Sequence, residues 1–160
     1  MNDKELYARI LGLCEPWMVK EIEMDLPAEK IIIKLGKITG IYLSCPKCGK
    51  GCPIYDHKER RWRHLDTCQL QTIIQAQVPR VSCPEDGVHQ VRVPWAEENA
   101  SITILMESLA INWLQKTNIK NVCQQLGLSW DQVDEILKRA VRRGSPSDNE
   151  IERHSIKEKV

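Results

Sequence analysis

Two short cysteine motifs constrain the fold of this chain more than any other feature of its sequence. The first is Cys45-Pro-Lys-Cys48-Gly, and the second, Cys83-Pro-Glu-Asp86-Gly, repeats that frame with aspartate in place of the last cysteine. Two thiolates separated by two residues can bind one metal ion, and the glycine lets the backbone turn tightly. We therefore expect a structural Zn²⁺ held by the three cysteines, with Asp86 or alternatively His89 as the fourth ligand.

Other interpretations of the cysteines stay open. The motifs also fit a degenerate site that has lost its metal, in which the thiols pack as small apolar groups, and Cys52 and Cys68 are competing ligands. Cys14 and Cys123 fall on expected helix faces, where we predict burial. Seven cysteines are an odd number, and the chain shows no signal or membrane-spanning run. We therefore expect a cytoplasmic protein whose cysteines are reduced and do not form a framework of disulfide bonds.

The first hundred residues are mostly β-like in pattern. Runs rich in Ile and Val over residues 18–24 and 30–35 predict a hairpin, and a short helix over residues 3–13 precedes it. The alternation over residues 71–81 predicts a further strand, in which Pro79 indicates an edge or a late position. Together with the cysteine motifs, this pattern predicts a small β-rich zinc module.

The pattern changes from β-like to helical after Pro94, and we expect a boundary between residues 98 and 99. Apolar residues at spacings of three and four predict one face of a first helix: Ile102, Leu105, Met106, Leu109 and Trp113. A second, shorter helix is expected to end before Gly127, and Ser129 is suited to capping a third. The third helix is expected to turn four residues inward: Val133, Ile136, Leu137 and Val141.

The last two helices follow the helix-turn-helix pattern, with the small residue Cys123 at the helix contact and Gly127 at the turn. That geometry sets the exposed side of the helix over residues 130–143 against the DNA major groove. Its N-terminal side chains would read the bases: Trp130, Asp131, Gln132 and Glu135. Its C-terminal cations would hold phosphates or complement the helix dipole: Lys138, Arg139, Arg142 and Arg143.

A basic and aromatic stretch over residues 57–66 lies between the two cysteine motifs. In an extended strand Arg61 and Arg63 point the same way and could meet phosphate. The alternative is structural, with Trp62 packed against the metal module and Asp66 paired with an arginine.

The overall net charge is too small to indicate nucleic-acid binding, so any such indication must come from local clusters of basic residues. The 160 residues are 42% hydrophobic, which supports a core, and 23 Lys and Arg against 22 Asp and Glu leave a net charge of +1. We expect an α+β protein. Its parts would be an N-terminal helix and β-rich zinc module over 1–98, a three-helix DNA-binding unit over 99–144, and a polar tail over 145–160.

Several ordered motifs resemble the ISL-three (ISL3) family of insertion-sequence transposases over residues 11–144. They are Cys45-Pro-Lys-Cys48-Gly, then Ile-Tyr-Asp-His-Lys-Glu-Arg-Arg-Trp-Arg-His-Leu-Asp66, then Val-Pro-Arg-Val-Ser-Cys83-Pro, then Val-Pro-Trp-Ala96. The resemblance implies a zinc finger, a helix-turn-helix and a following nuclease domain with metal-binding Asp, Asp and Glu. It also implies that Cys45, Cys48 and Cys83 match the ligands of the finger, with Asp86 at the fourth position.

The functional expectation follows from that resemblance. After Gly144 only a short tail stands where the nuclease domain would begin, so we expect a truncated transposase that is not an enzyme and has no catalytic residues. It would bind double-stranded DNA at the terminal inverted repeats of its element, without strand transfer. A second copy or an intact transposase is a further expected partner, and no membrane is. The alternative is a zinc-containing transcription regulator or a protein-interaction module.

Overall fold

A computed structural model describes residues 1–40 and 42–144, so the expected tail over 145–160 lies outside the described residues. The chain divides into a first unit, Met1–Thr103, and a second unit that begins at Ile104. Within the described ranges, no helix combines the length and the apolar character needed to cross a membrane. The elements are α1 (Asp3–Ile10), β1 (Trp17–Asp25), β2 (Lys30–Lys37), β3 (Leu43–Ser44), β4 (Gly51–Cys52), β5 (Ile54–Thr67), β6 (Leu70–Cys83), β7 (Gly87–Gln90), α2 (Ile104–Leu114), α3 (Ile119–Leu126) and α4 (Trp130–Arg143).

The first unit is built on a sheet with the strand order β1-β2-β6-β5, to which β7 adds by pairing with β6. β2 and β6 run parallel, and the other neighbours are antiparallel. The expected β-rich module and the β1–β2 hairpin are confirmed. β6 is a central strand, and Pro79 lies late in it, between the part paired with β2 and the part paired with β7. A residue without an amide hydrogen is tolerated at such a gap in the pairing.

A cluster of three tryptophans marks the core on one face of this sheet. Trp95 meets Trp17 and Trp62 edge-on, with ring centroids 4.9 and 5.3 Å apart. Edge-to-face packing of this kind is favourable beyond the burial itself. Around the tryptophans, alternate strand positions supply buried aliphatic side chains: Val19, Ile31, Ile33, Leu35, Ile74, Val78 and Val81.

The segment after Trp95 belongs to the first unit, which ends later than the expected boundary at residue 98. Ala100 and Ile102 are buried, and Ile102 forms a parallel bridge with Arg63 of β5. The Thr103 amide donates a 2.9 Å hydrogen bond to the Arg63 carbonyl. Ile102 therefore lies in an extended segment before α2, and its predicted place on the first helix face is wrong.

Over residues 104–144, the second unit consists of α2, α3 and α4, which confirms the expected three helices. The α3 helix ends at Gly127, whose φ of 64° is left-handed, and Ser129 caps α4 by accepting from the Gln132 amide at 3.1 Å. The sequence alone predicted both the helix end at Gly127 and the cap at Ser129.

The helix faces differ from the expectation at several positions. In α4 the small Ala140 is buried and Val141 is 46% exposed. In α2 the buried residues include Ala110 and Leu114, whereas Leu105 and Trp113 are partly exposed: the inward set is Met106, Glu107, Ala110 and Leu114. Apolar residues surround most of α2, so their spacing alone does not identify its buried face.

Candidate metal centre and nucleic-acid interface

The first cysteine motif is held between the short strands β3 and β4. The Cys45 amide donates to the Lys50 carbonyl at 2.8 Å, and the Gly49 amide donates to the Cys45 carbonyl at 2.9 Å. Gly49 has a φ of 77°, which only glycine adopts without strain. The hydrogen bonds fold residues 45–50 into a tight turn that directs its cysteines to one place.

The second motif occupies the turn between β6 and β7, in which Cys83 pairs with Gly87. The long hairpin of β5 and β6 accounts for the residues between the two motifs and returns the chain to the first. The structure thereby brings together the four predicted ligands, Cys45, Cys48, Cys83 and Asp86, with all ligand atoms within 4.8 Å of one another.

The distances between these atoms fit a tetrahedral zinc ion. The Cys48 and Cys83 Sγ atoms are 3.5 Å apart, and Asp86 Oδ2 lies 3.5 Å from Cys45 Sγ and 3.6 Å from Cys83 Sγ. A tetrahedron with Zn–S bonds of about 2.3 Å and a Zn–O bond of about 2.0 Å requires S···O edges of about 3.5 Å and S···S edges of about 3.8 Å. The three quoted spacings are compatible with a zinc ion bound by three thiolates and one carboxylate, and the remaining pairs of ligand atoms lie within 4.8 Å.

Among the described residues, the competing ligands lie outside this cluster. His89 Nε2 donates a 2.7 Å hydrogen bond to the backbone carbonyl of Asp86. The buried Cys52 thiol donates to the Lys50 carbonyl at 3.4 Å, and Cys68 is exposed in the β5–β6 turn. The geometry thus favours Asp86 over His89 as the fourth ligand.

The last two cysteines were expected to be buried on helix faces. Cys14 is exposed in the turn after α1, so that prediction is wrong for it, because the helix ends at Ile10. Cys123 is partly buried in α3.

The protonation of the cluster is uneven in the metal-free protein. Cys48 is exposed; the Lys50 amide lowers its pKa, but partial desolvation by its neighbours and the Cys83 side chain outweigh that effect and raise the pKa to about 12. Backbone amides of Asp86 and Glu85 lower the pKa of Cys83, and the Cys48 thiol lowers the pKa of Asp86 by donating to its carboxylate. These shifts favour the protonated form of Cys48 and the ionised form of Asp86, and metal binding would release the Cys48 proton.

In the second unit, the N-terminal turn of α4 presents the predicted base readers to solvent. Trp130 is 56% exposed, and Asp131 and Glu135 are also exposed. Gln132 is partly committed, because its Oε1 accepts a 3.0 Å hydrogen bond from the Ser129 amide. The opposite face of the helix is sealed by buried residues: Val133, Ile136 and Ala140.

The cations at the other end of α4 are not equivalent. Arg139 is only 14% exposed, and its Nε lies 3.1 Å from Oε2 of the buried Glu107. The prediction that Arg139 holds phosphate is contradicted by this buried ion pair. Arg143 also binds Glu107 at 2.7 Å but is 44% exposed, and Arg142 is exposed.

Lys138 is exposed, with Nζ 2.8 Å from an Asp134 carboxylate oxygen and 3.6 Å from a Glu135 one. Surface pairs of this kind are weak and leave a lysine available to a phosphate. Glu107 was missed at the sequence level. Its signal was the single acidic residue of α2, a helix that is mostly apolar.

In β5, Arg61 and Arg63 have different environments. Arg63 is buried, and its NH2 lies 2.6 Å from Asp66 Oδ1. The expectation that Arg63 meets phosphate is therefore contradicted, and the structural alternative holds for Arg63, Asp66 and the buried Trp62. Arg61 stays exposed, 3.5 Å from Glu59.

Two consecutive regions match families of known proteins. Residues 43–86 match the zinc-finger of transposase IS204/IS1001/IS1096/IS1165, and residues 91–141 match the helix-turn-helix domain of transposase family ISL3. The first region contains all four residues of the cysteine cluster, and the second contains the turn at Gly127 and nearly all of α4.

Curated relatives align with most of this chain and are longer proteins. The transposase for insertion sequence element IS1557 of Mycobacterium tuberculosis, in strains CDC 1551 / Oshkosh and ATCC 25618 / H37Rv, is 27% identical over 146 residues. The alignment covers 87% of this chain and 33% of each relative, so the chain spans about one third of their length. No solved structure matches the chain. The matched regions, in their order along the chain, identify it as a member of the ISL3 family of transposases, corresponding to the N-terminal portion that holds the zinc finger and the helix-turn-helix.

Proposed function

We propose that this portion of the transposase recognises the terminal inverted repeats of an insertion sequence. The observation that carries the proposal is the asymmetry of α4 in a family-matched helix-turn-helix: Trp130, Asp131 and Glu135 are exposed, while the opposite face is sealed in the unit. In such a motif the second helix enters the major groove with its N-terminal residues nearest the bases. The proposal assigns DNA binding, and not strand transfer, to these residues.

The chemistry of the exposed turn limits which contacts it can make. Asp131 and Glu135 carry only acceptors at neutral pH, so each can accept from the amino group of cytosine. Gln132 has its carbonyl oxygen engaged in the cap, so it can only donate, for example to a guanine or to a phosphate. Trp130 offers an apolar ring that can pack on a thymine methyl or a sugar.

Phosphates would be held by the exposed cations. On α4 these are Lys138, Arg142 and Arg143, and Arg61 of β5 is a further candidate in the first unit. Such contacts set the orientation on the duplex and the salt dependence of binding.

A zinc ion in the cysteine cluster is part of this proposal. Cys45, Cys48, Cys83 and Asp86 would hold it, since their spacing matches a tetrahedral site. The ion would supply a crosslink between the β3–β4 turn and the β6–β7 turn, and its binding would be coupled to folding of that region. Because inverted repeats present the same site twice, a second copy or a longer transposase is a proposed partner.

Selection of bound duplexes from a random pool tests the proposal. Zinc-loaded protein is expected to enrich one sequence family, and Trp130→Ala is expected to change or abolish that enrichment. The matched control is Tyr42→Ala, an aromatic residue of the first unit that is 82% exposed and lies outside the proposed reading turn of α4, residues 130–135. Retention of all duplexes alike would overturn sequence recognition, and no retention of duplex would favour the protein-interaction alternative.

A further inference from the structure

The second unit carries an open groove of about 660 Å³ between α2 and α3 that the reading turn of α4 does not use. Leu109 and Trp113 form its apolar part, and Trp113 is 38% exposed. The remainder of the lining is polar and includes Asn112, Lys116, Asn121 and Gln125.

The charged residues that line this groove or follow its lining residues on α3 are basic. The sequence contains no aspartate or glutamate between Glu107 and Asp131. Lys116 lines the groove, and Lys120 follows it on α3; both are exposed, and neither forms an ion pair within the part of the chain that the structure describes. A surface with two uncompensated cations and no carboxylate complements an anionic partner.

The groove contrasts with the C-terminal half of α4. There Lys138 forms ion pairs with two carboxylates, and Arg139 forms a buried ion pair with Glu107. Three of the four cations at that end of α4, Lys138, Arg139 and Arg143, are thus paired with carboxylates of the same unit, whereas the lysines beside the groove are not.

We propose that the groove between α2 and α3 binds the DNA sugar-phosphate backbone and forms a second contact surface of this unit. Lys116 and Lys120 would contact phosphates, and the side-chain amides of Asn112 and Gln125 would donate to phosphate oxygens. The ring of Trp113 would pack against deoxyribose. This inference rests on the proposed function, because it presupposes that the unit binds duplex DNA.

DNA fits these observations better than a protein helix does. A groove that binds an amphipathic helix is mostly hydrophobic, because it receives a row of apolar side chains from that helix. This groove instead combines two apolar residues with side-chain amides and a lysine. Side-chain amides and lysines are the groups that proteins use on phosphate backbones.

The test measures how duplex affinity depends on salt. The zinc-loaded chain and its Lys116→Gln/Lys120→Gln double variant are titrated with a short duplex of random sequence at a series of salt concentrations. Each lost phosphate contact lowers the slope of log K against log[salt] by about 0.9, so the double variant should be shallower by about 2. Lys4→Gln, at an exposed lysine of α1, is the matched control and should keep the wild-type slope.

A second pair of variants isolates the aromatic contact. Trp113→Ala should weaken binding several-fold, and Trp113→Phe should restore most of the affinity because an apolar ring remains. Thermal unfolding of the lysine variants should match the wild type, since those side chains are exposed. Trp113 is only partly exposed, so Trp113→Phe, which keeps an apolar ring, is the variant that separates a lost contact from a lost fold.

The outcomes separate this inference from the proposed function. A wild-type chain that binds duplex while the double variant keeps its slope would overturn the groove assignment alone. A wild-type chain that binds no duplex would overturn both proposals.

Discussion

Glu107 of α2 binds Arg139 of α4 in the interior of the second unit, with Arg139 Nε 3.1 Å from the carboxylate and only 3% of the glutamate side chain exposed. Arg143 adds a second bond to the same carboxylate at 2.7 Å. A buried charge of this kind is tolerated only while its partners are present. The pair therefore fixes α4 against α2 and sets the direction of the helix that is proposed to read DNA.

Replacing Arg139 should consequently affect stability rather than DNA contact. We expect Arg139→Ala to lower the free energy of unfolding by about 2 kcal/mol, less than the ~3–5 kcal/mol for a buried pair left with no partner, because Arg143 still binds Glu107. The salt dependence of duplex binding should stay unchanged. Denaturant unfolding and binding titrations measure the two quantities.

Arg142→Ala is the matched control on the same helix. Arg142 is exposed, so its loss should change stability by less than about 0.5 kcal/mol and flatten the salt slope by about one unit if it touches phosphate. A flattened slope for Arg139→Ala at unchanged stability would contradict this account.

Zinc binding should depend on the charge at position 86. Asp86→Cys should retain one zinc ion per chain, because a fourth thiolate suits the same tetrahedron, whereas Asp86→Ala should bind zinc at least about 10-fold more weakly. Cys83→Ser should lose the metal, and Cys14→Ser, at an exposed thiol outside the cluster, should keep it. Metal analysis of the purified chains gives the result. A wild-type chain without zinc after folding in its presence would refute the site.

The local parts of this architecture were predictable from the sequence. Gly127 and Ser129 mark the turn before α4 by residue type alone, and the two cysteine motifs named the residues that meet in the cluster. Each signal is local because a left-handed φ, a helix cap or a tight cysteine turn needs specific residues at fixed offsets.

The partners of buried charges could not be predicted in the same way. A pattern identifies Arg139 as a cation on a helix, but its partner Glu107 lies on another element, and only the packing of α4 on α2 joins them. The sequence likewise identifies Arg63 as a cation on a strand, but it does not show that the segment ending at Thr103 lies against Arg63. The choice of Ala140 over Val141 as the inward residue also depends on how closely the helices approach.

The turn between β5 and β6 offers a route to higher stability. Cys68 and Gln69 both have positive φ, 50° and 66°, between the paired residues Thr67 and Leu70. Hairpin turns with two left-handed residues favour Asn-Gly, because other side chains are strained there. Gln69→Gly should raise the free energy of unfolding by about 1 kcal/mol.

Gln77→Gly, in the middle of β6, controls for the general effect of introducing a glycine. It should lower the free energy of unfolding by about 1 kcal/mol. Equal losses of stability in both variants would show that the turn conformation is not the source of the strain.

Acid should destabilise the first unit through His64. Burial, followed by the charge of Arg63, lowers the pKa of His64 to about 4, from 6.5 in the unfolded chain. Between these pH values the unfolded chain binds a proton that the folded protein does not, so the free energy of unfolding falls as the pH falls, by about 1 kcal/mol per pH unit. His64→Gln should flatten this dependence, and His57→Gln, at an exposed histidine, should leave it intact. Equal pH profiles for the wild type and His64→Gln would exclude the histidine as its cause.

The central claim is that the exposed first turn of α4 reads duplex DNA. Its most direct test is the affinity of the wild type and of Trp130→Ala for a selected duplex and for versions with one base pair changed. We predict that the wild type loses about 1–3 kcal/mol for each changed pair within the site. We also predict that Trp130→Ala loses this discrimination at one or more positions while it still binds random duplex. A wild type that binds all these duplexes alike, or a variant that discriminates as the wild type does at every position, would contradict the claim.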